Sequence, residues 1–392
     1  TDLRILRAAW TGWLGAILAC VTGGALVAAV THGISFGTIL QKGIGLLFLL
    51  LSLICLHDFM RSWNHLRWIF RVFVSAVTIH SVLFLMVMLA QNVGLLSWPS
   101  MNLGGARLTG LLIDPNAFGG LILVALIINA TTRAHGQPLL RGHAALVANA
   151  ALAAALMFTY SRSAWVGGIL ALTGFAMLFP KRALTGLLRL LPALAVAGAI
   201  IAVTILPTVL KLAQRPDQVQ DRVSILTLAF NDFFSHPILG IGLGTSDVLH
   251  GQIVHNTTIW FLTEFGPLGL ISILGFVASH GAMAYTAHRR LAAPQRVLPA
   301  AFLFAHVGVY GLSMGIESLY QRHWWLVLAG IGVTFAAGVD GLSLESPLAT
   351  TNEPSEPDPV LVTAGSRSHS RYPRRQLAEV SGPEGDGHHF HH

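Results

Sequence analysis

The chain alternates long apolar runs with short polar segments. Ten of the apolar runs have about the 20 residues that an α-helix needs to cross the hydrocarbon core of a bilayer. This pattern predicts an all-α, polytopic integral membrane protein, in which residues 1–342 form one transmembrane domain. The predicted helices lie at about 10–30, 38–56, 69–90, 116–131, 143–160, 163–180, 187–207, 256–280, 298–316 and 323–341.

Arginine and lysine residues indicate how these helices are oriented. They lie before the first predicted helix and after the second, fourth, sixth and eighth, all on one side of the membrane. The positive-inside rule makes that side cytoplasmic. A missed helix would have reversed the pattern midway, so this agreement supports the helix count. The opposite, outer side carries the long loop 208–255.

Composition supports a membrane protein and excludes a nucleic-acid partner. Hydrophobic residues make up 54% of the chain and charged residues 10%, whereas a soluble domain has about 25% charged residues. The net charge of +7 arises between the spans, where it sets topology. Cys20 and Cys55 lie inside apolar runs, and we interpret them as small core residues rather than a disulfide or metal site.

Tryptophans cluster near both ends of the predicted helices. Such aromatic belts anchor helices at the two membrane interfaces. On the outer side we therefore interpret the following residues as interface anchors: Trp98, Trp165, Trp260, Trp324 and Trp325.

Residues 343–392 differ from the rest of the chain. They are rich in Ser, Pro, Glu, Gly and His and show no apolar period. Such a composition cannot bury a core, so we predict a disordered cytoplasmic tail. Its end, 387–392, resembles the remnant of an expression tag and is excluded from reasoning about metal sites.

The most informative segment is polar and lies between apolar spans. It comprises 236–245, His255-Asn256 and 264–269, and it holds histidine, carboxylate, amide and five glycines. Polar groups at membrane depth are costly and usually mark a functional site. Gly242 belongs to a glycine series that permits close backbone approach to a ligand. Gly242, Asn256 and Glu264 are therefore candidate substrate-binding residues.

Two further features are an amphipathic helix that precedes this segment and a histidine within it. Apolar residues at 223, 226, 230 and 233/234 repeat at helical spacing, which predicts an amphipathic helix along the membrane surface. His255 is a candidate general base, since the pKa of histidine is near 6.5 and nearby arginines would lower it. Alternatively, His255 is an interfacial residue at a helix start, and Asn256 and Thr257 are helix caps.

Three arginines on the outer side are candidate site residues, and Arg162 among them breaks the charge pattern. Arg162, between two serines at a helix start, and Arg222, at the head of the amphipathic helix, are candidate phosphate ligands. Their alternative roles are a headgroup anchor and a solvated surface charge. Arg107 adds positive potential and is a further candidate substrate-binding residue. Asp114 or Asn116 is better explained as a helix cap.

Several kinds of chemistry find little support in the chain. The outer segments contain no Asp-x-Asp and no His-x-x-x-His pair, so we expect no metal, and arginines would have to neutralise phosphate charge. A Gly-x-Ser-x-Gly motif is absent, which disfavours a serine hydrolase. The predicted spans lack the charged relays of a proton-coupled pump.

These outer motifs resemble a known family, the O-antigen ligase superfamily of the Wzy-C type. The resemblance covers about residues 105–340 and is most specific over 236–269. It rests on the following elements in this order: Ser161-Arg162-Ser163, Arg222-x-x-x-Leu226, His236-Pro-x-x-Gly240-x-Gly242, His255-Asn256 and Glu264-x-Gly266-x-x-Gly269.

The resemblance implies a GT-C-like glycosyltransferase of the bacterial inner membrane, with 208–255 as a periplasmic loop containing amphipathic helices. Such an enzyme transfers a glycan from undecaprenyl diphosphate to lipid A–core oligosaccharide on the periplasmic face, among membrane lipids and without a cofactor. By motif match, His255 would be the general base, and Arg162 and Arg222 would be catalytic ligands of the diphosphate. The family has about twelve helices, so two more are expected ahead of residue 1.

Other functions remain open at this stage. An O-antigen polymerase would use an undecaprenyl-linked acceptor, and a pilin O-oligosaccharyltransferase would use a protein. A transporter of the lipid-linked glycan would need polar residues through the whole membrane depth. The sequence concentrates them on one side, which favours the enzyme.

Overall fold

The computed structural model describes residues 9–60, 62–96, 107–112, 114–186 and 216–339. Within these ranges every regular element is a helix, which confirms the all-α prediction. The predicted helix at 187–207 and the tail 343–392 lie outside the described residues. The α-helices are α1 (Ala9–His32), α2 (Phe36–Phe59), α3 (Trp63–Asn92), α4 (Pro115–Ala134), α5 (Ala144–Phe158), α6 (Arg162–Leu178), α7 (Pro216–Ser235), α8 (Thr245–His250), α9 (Thr257–Arg290), α10 (Val297–Leu312) and α11 (Arg322–Val339).

Five of the described helices are long and apolar enough to cross a membrane. They contain the stretches Thr11–His32, Ile39–Phe59, Trp63–Gln91, Pro115–Ala134 and Thr257–Arg290. The protein is therefore a polytopic membrane protein. The helices α5, α6 and α10 are shorter but also apolar. We call the end of the bundle at which α2, α4, α6, α9 and α11 begin the outer end.

The observed helices differ from the predicted ones mainly at their ends. α3 begins at Trp63 rather than near 69, because the side chain of Ser62 caps it by accepting a hydrogen bond from the backbone N–H of His65. α9 runs to Arg290, well past the predicted end near 280. The short helix α8 was not predicted, since six residues are too few to show an apolar period.

α10 lies at the centre of the described bundle. It packs against α4, α6, α9 and α11. Gly308 and Gly311 let the backbone of α10 approach α6 closely, since a Cβ at Gly311 would lie 2.8 Å from the Cα of Gly167. Small residues at helix contacts are typical of membrane bundles. This tight contact fixes the position of α6, whose first residue is Arg162.

The prediction of outer interface anchors is wrong for three tryptophans. Trp260, Trp324 and Trp325 are almost fully buried. The indole N–H of Trp324 donates to His306 Nδ1 (3.0 Å), and that of Trp325 donates to the carbonyl of Leu319 (2.6 Å). These three rings belong to the apolar core of the protein.

The amphipathic helix predicted in the long loop is present as α7, but a different face packs on the protein. Ile225 and Ala229 are buried, and the carbonyl of Ala229 accepts a hydrogen bond from the hydroxyl of Thr263 on α9 (3.2 Å). Two of the residues on which the prediction rested, Val223 and Phe230, are exposed. Apolar spacing predicted the helix but could not show which apolar side faces the bundle.

Candidate active site

Arg162 is placed by a sharp turn between α5 and α6. The backbone of Tyr160 has a φ of 48°, in the left-handed region that non-glycine residues rarely adopt. The hydroxyl of Thr159 accepts the N–H of Ser161 (3.2 Å), and Ser161 in turn caps α6 by accepting the N–H of Ala164 (3.3 Å). Arg162 is therefore the first residue of α6, half-buried at the outer end of the bundle.

Arg107 and Asn116 brace this turn. The Nε of Arg107 donates to the carbonyl of Thr159 (2.9 Å), and its Nη2 donates to Asn116 Oδ1 (3.1 Å). The hydroxyl of Ser161 donates to the same Asn116 oxygen (2.9 Å). Arg107 thus has a structural role at the junction that carries Arg162, and its contact with substrate stays a prediction. Asp114 caps α4, accepting the N–H of Asn116 (2.8 Å), as the sequence indicated.

Arg222 lies on α7 and faces the start of α6. Its Nη1 is 3.6 Å from the point where a Cβ on Gly315 would lie, and the Cβ of Ser163 is 2.8 Å from that same point. Desolvation lowers the pKa of Arg222, and the positive charge of Arg162 lowers it further. The two guanidinium groups therefore repel each other in a half-buried setting. An anion between them would relieve that repulsion.

His255 lies directly before α9, on the exposed rim of the same region. Its pKa is below the ordinary value because the surrounding protein disfavours the imidazolium and because the charge of Arg222 repels it; Asp114 acts in the opposite direction. The charge of Arg162 acts on Arg222, and that of Arg222 acts on His255, so the structure places the three predicted residues near one another at the outer end of the bundle.

Asn256 acts as the N-cap of α9, which was predicted as the alternative to a substrate-binding role. Its Oδ1 accepts the N–H of Ile259 (3.1 Å), and its Nδ2 donates to the carbonyl of Met314 (3.2 Å). Both groups of the amide are thus engaged with protein, and the backbone beside His255 is held in place. A contact between Asn256 and substrate stays a prediction.

The glycine-rich turn 236–244 docks into a break in α9. Gly266 has a φ of 67°, and Pro267 has no N–H to donate to the carbonyl of Thr263. The N–H of Ile241 donates to that carbonyl instead (3.0 Å), and the N–H of Gly242 donates to the carbonyl of Glu264 (2.9 Å). In a membrane protein such freed backbone groups must find a partner, which the turn supplies.

Gly242 and Glu264, which were predicted to contact substrate, make their close contacts with other residues of the protein. Gly242 has a φ of 95°, and a Cβ there would lie 2.5 Å from the backbone nitrogen of Ala28 on α1. Glu264 is 1% exposed, and its Oε2 accepts the N–H of Gly244 (2.8 Å). The close approach that the glycines permit is to α1 and α9, which explains these residues without a ligand.

We expect Glu264→Ala to destabilise the protein by about 1–3 kcal/mol, because it leaves the buried N–H of Gly244 without an acceptor. Glu264→Gln retains an oxygen acceptor and should cost less. Thermal unfolding of the detergent-purified variants measures the difference. Equal midpoints for the Ala and Gln variants would contradict this role.

Sequence reasoning missed a polar contact between α2 and the loop that connects α10 to α11. Lys42 lies 3.8 Å from Glu317, and the Tyr320 hydroxyl donates to the carbonyl of Lys42 (3.2 Å). The available signal was a lysine inside an apolar run, which membrane energetics disfavour unless it is paired. Glu317 has a raised pKa because it is buried, although Lys42 counteracts this.

Among the described residues no group of three or more His, Cys, Asp or Glu side chains is placed to hold a metal ion.

The molecule is a polytopic α-helical membrane protein, and three of its candidate site residues, Arg162, Arg222 and His255, lie near one another at one end of the bundle. The segment that carries these residues matches a known family. Residues 147–274 match the family model Wzy_C, described as O-Antigen ligase. The match covers about a third of the chain and supports its membership of the O-antigen ligase family. No match was found among curated proteins.

The family match bears on the class of reaction. It supports glycan transfer of the ligase or polymerase type, with a lipid-linked glycan in a membrane setting. The matched segment includes Arg162, Arg222, His255 and Glu264, whereas Arg107 lies outside it. The matched segment is shorter than the span of about 105–340 over which the order of motifs suggested a resemblance.

Proposed function

We propose that the protein is an O-antigen ligase of the bacterial inner membrane. It transfers a glycan from undecaprenyl diphosphate to a hydroxyl of the lipid A–core oligosaccharide on the periplasmic face. The observation that carries the proposal is the half-buried pair Arg162 and Arg222 beside His255. Two repelling guanidinium groups suit a diphosphate, and a histidine with a lowered pKa suits a general base.

In the proposed reaction, the two arginines hold the diphosphate of the donor. His255 takes the proton of the acceptor hydroxyl as its oxygen attacks the anomeric carbon. The bond between that carbon and the diphosphate oxygen breaks, and undecaprenyl diphosphate leaves with the bonding electrons. Attack opposite the leaving group inverts the anomeric centre. The arginines stabilise the negative charge that develops on the diphosphate, so no metal or external energy source is required.

A transfer assay tests the proposal against its neighbours. Purified protein is incubated with an undecaprenyl-diphosphate-linked glycan and lipid A–core, with EDTA present. Glycosylated lipid A–core supports the ligase. Products that join undecaprenyl-linked glycans, without lipid A–core product, would indicate a polymerase. Glycan transfer to a pilin offered as acceptor would indicate the oligosaccharyltransferase. Donor binding without any product would support a transporter.

The pH dependence of transfer should report the environment of His255. As a base, His255 must be neutral, so kcat/KM should rise with pH and level off above a pKa lower than the ordinary value for histidine. Because Asp114 raises the pKa of His255, Asp114→Asn should move the rising limb to lower pH.

Asparagine can still accept the N–H of Asn116 and cap α4, so the plateau rate of this variant should be retained. The check is a kcat/KM profile between about pH 5 and 9 for wild type and Asp114→Asn. A limb that moves to higher pH, or does not move, would contradict the assignment of this limb to His255.

A further inference from the structure

The loop between α10 and α11 contacts both halves of the proposed site. On the side of His255, the carbonyl of Ser313 accepts the N–H of Thr257 (3.0 Å), and the carbonyl of Ile316 accepts its hydroxyl (3.2 Å). The N–H of Ser318 donates to the same hydroxyl (2.8 Å). Together with the bond from Asn256 to Met314, these contacts tie the first turn of α9 to residues 313–318.

The same loop contacts the arginine side through Gly315. A Cβ at this position would lie 2.8 Å from the Cβ of Ser163 and 3.6 Å from Arg222 Nη1. Ser163 directly follows Arg162 in α6. Carbon atoms in good contact are about 3.5–4.0 Å apart, so only a residue without a side chain fits here at the present spacing. The φ of Gly315 lies outside the left-handed region, so space rather than backbone conformation requires the glycine.

Contacts with α2 and α11 anchor the C-terminal part of the loop. Glu317 pairs with Lys42 of α2 (3.8 Å), and the carbonyl of Leu319 accepts the indole N–H of Trp325 (2.6 Å). Ser318 and Leu319 are almost fully buried. A loop anchored at this end can transmit a shift at Gly315 to the residues that contact the first turn of α9.

We propose that residues 313–318 form a positioning element that sets the distance between His255 and the arginine pair, with Gly315 as its critical residue. The inference rests on the proposed function. One added methyl group at Gly315 must displace either the start of α6, with Arg162, or the loop, with the His255 segment. A misplacement of about 1 Å at a reacting centre can lower the rate by about 100-fold.

A double-mutant cycle tests the proposal. Gly315→Ala adds the methyl group, and Ser163→Gly removes the atom that it meets. We expect Gly315→Ala to lower kcat about ten-fold or more, with a smaller change in the KM for donor, because each half of the site stays intact. The double variant should recover to near the rate of Ser163→Gly alone, which is measured as the reference.

Gly281→Ala is the matched control. Nothing lies within 4 Å of a Cβ at Gly281, so its kcat should equal that of wild type. A Gly315→Ala variant with wild-type kcat would overturn the proposal. So would a loss that Ser163→Gly does not relieve, because it would indicate general damage to the fold.

A second measurement does not depend on transfer. The pKa of His255 is followed by NMR in histidine-labelled protein, with the resonance assigned by its absence in His255→Ala. Gly315→Ala should move this pKa away from its wild-type value, because the distance to Arg222 changes, and the double variant should restore it. If wild type transfers no glycan but this shift and its reversal occur, the proposed function fails while the positioning role stands. If Gly315→Ala changes neither this pKa nor kcat, the positioning role is wrong, whereas the proposed function is unaffected.

Discussion

His255→Ala should lower the rate of glycan transfer to lipid A–core by about 10²–10⁴-fold, the range over which general bases contribute. Without the imidazole, the group proposed to receive the proton of the acceptor hydroxyl is lost. Donor binding should survive, since Arg162 and Arg222 are unchanged. Initial rates at saturating donor, together with the KM for donor, measure both effects.

His143→Ala is a suitable control for this variant. His143 is an exposed residue at the start of α5, the opposite end of that helix from the Arg162 turn, and its side chain makes no capping hydrogen bond. Its replacement should leave transfer unchanged. If His255→Ala transferred glycan at the wild-type rate, the base would be another group, and the interfacial role of His255 would be correct.

Arg222→Lys should lower kcat/KM by about 10²–10³-fold, the usual cost of removing a group that stabilises transition-state charge. Lysine retains the charge but lacks the planar, bidentate guanidinium that matches phosphate oxygens. Arg162→Lys should behave similarly. The double variant should lose less than the product of the two single losses if both groups contact the same diphosphate, as proposed.

The control for the arginine variants is Arg141→Lys, an exposed residue in the segment between α4 and α5. It should transfer glycan at the wild-type rate. The test is the kcat/KM for donor of the four variants, each compared with that of wild type. Full activity of Arg222→Lys would mean that a point charge suffices, which would leave only a general electrostatic role for this residue.

The described helices, and the placement of the candidate residues at one end of the bundle, could be predicted from the sequence for physical reasons. A membrane forces apolar runs of nearly constant length, and polar residues such as His255 and Arg162 are conspicuous among them. The capping roles of Asp114 and Asn256 were also predictable, since short polar side chains before a helix satisfy its free N–H groups. These are local signals that need no knowledge of distant partners.

What the sequence could not provide was the partner of each polar group. Glu264 and Gly242 were conspicuous for the same reason as His255, yet they contact Gly244 and α1. Gly315 was inconspicuous because one glycine in a short connecting segment carries no pattern. The packed face of α7 was also missed, since apolar residues occur on two sides of that helix. Each of these features depends on contacts between residues far apart in the chain.

The break at Gly266 also bears on how the outer end assembles. The carbonyls of Thr263 and Glu264 accept hydrogen bonds from the N–H groups of Ile241 and Gly242. The bent form of α9 and the docked turn therefore depend on each other. We therefore expect the two to form in one cooperative step rather than in sequence. The amides of Ile241 and Gly242 should then exchange with deuterium together, with a rate that reports opening of the bend. The part of α9 before the break at Gly266 should behave as a separate unit of stability from the rest of the helix.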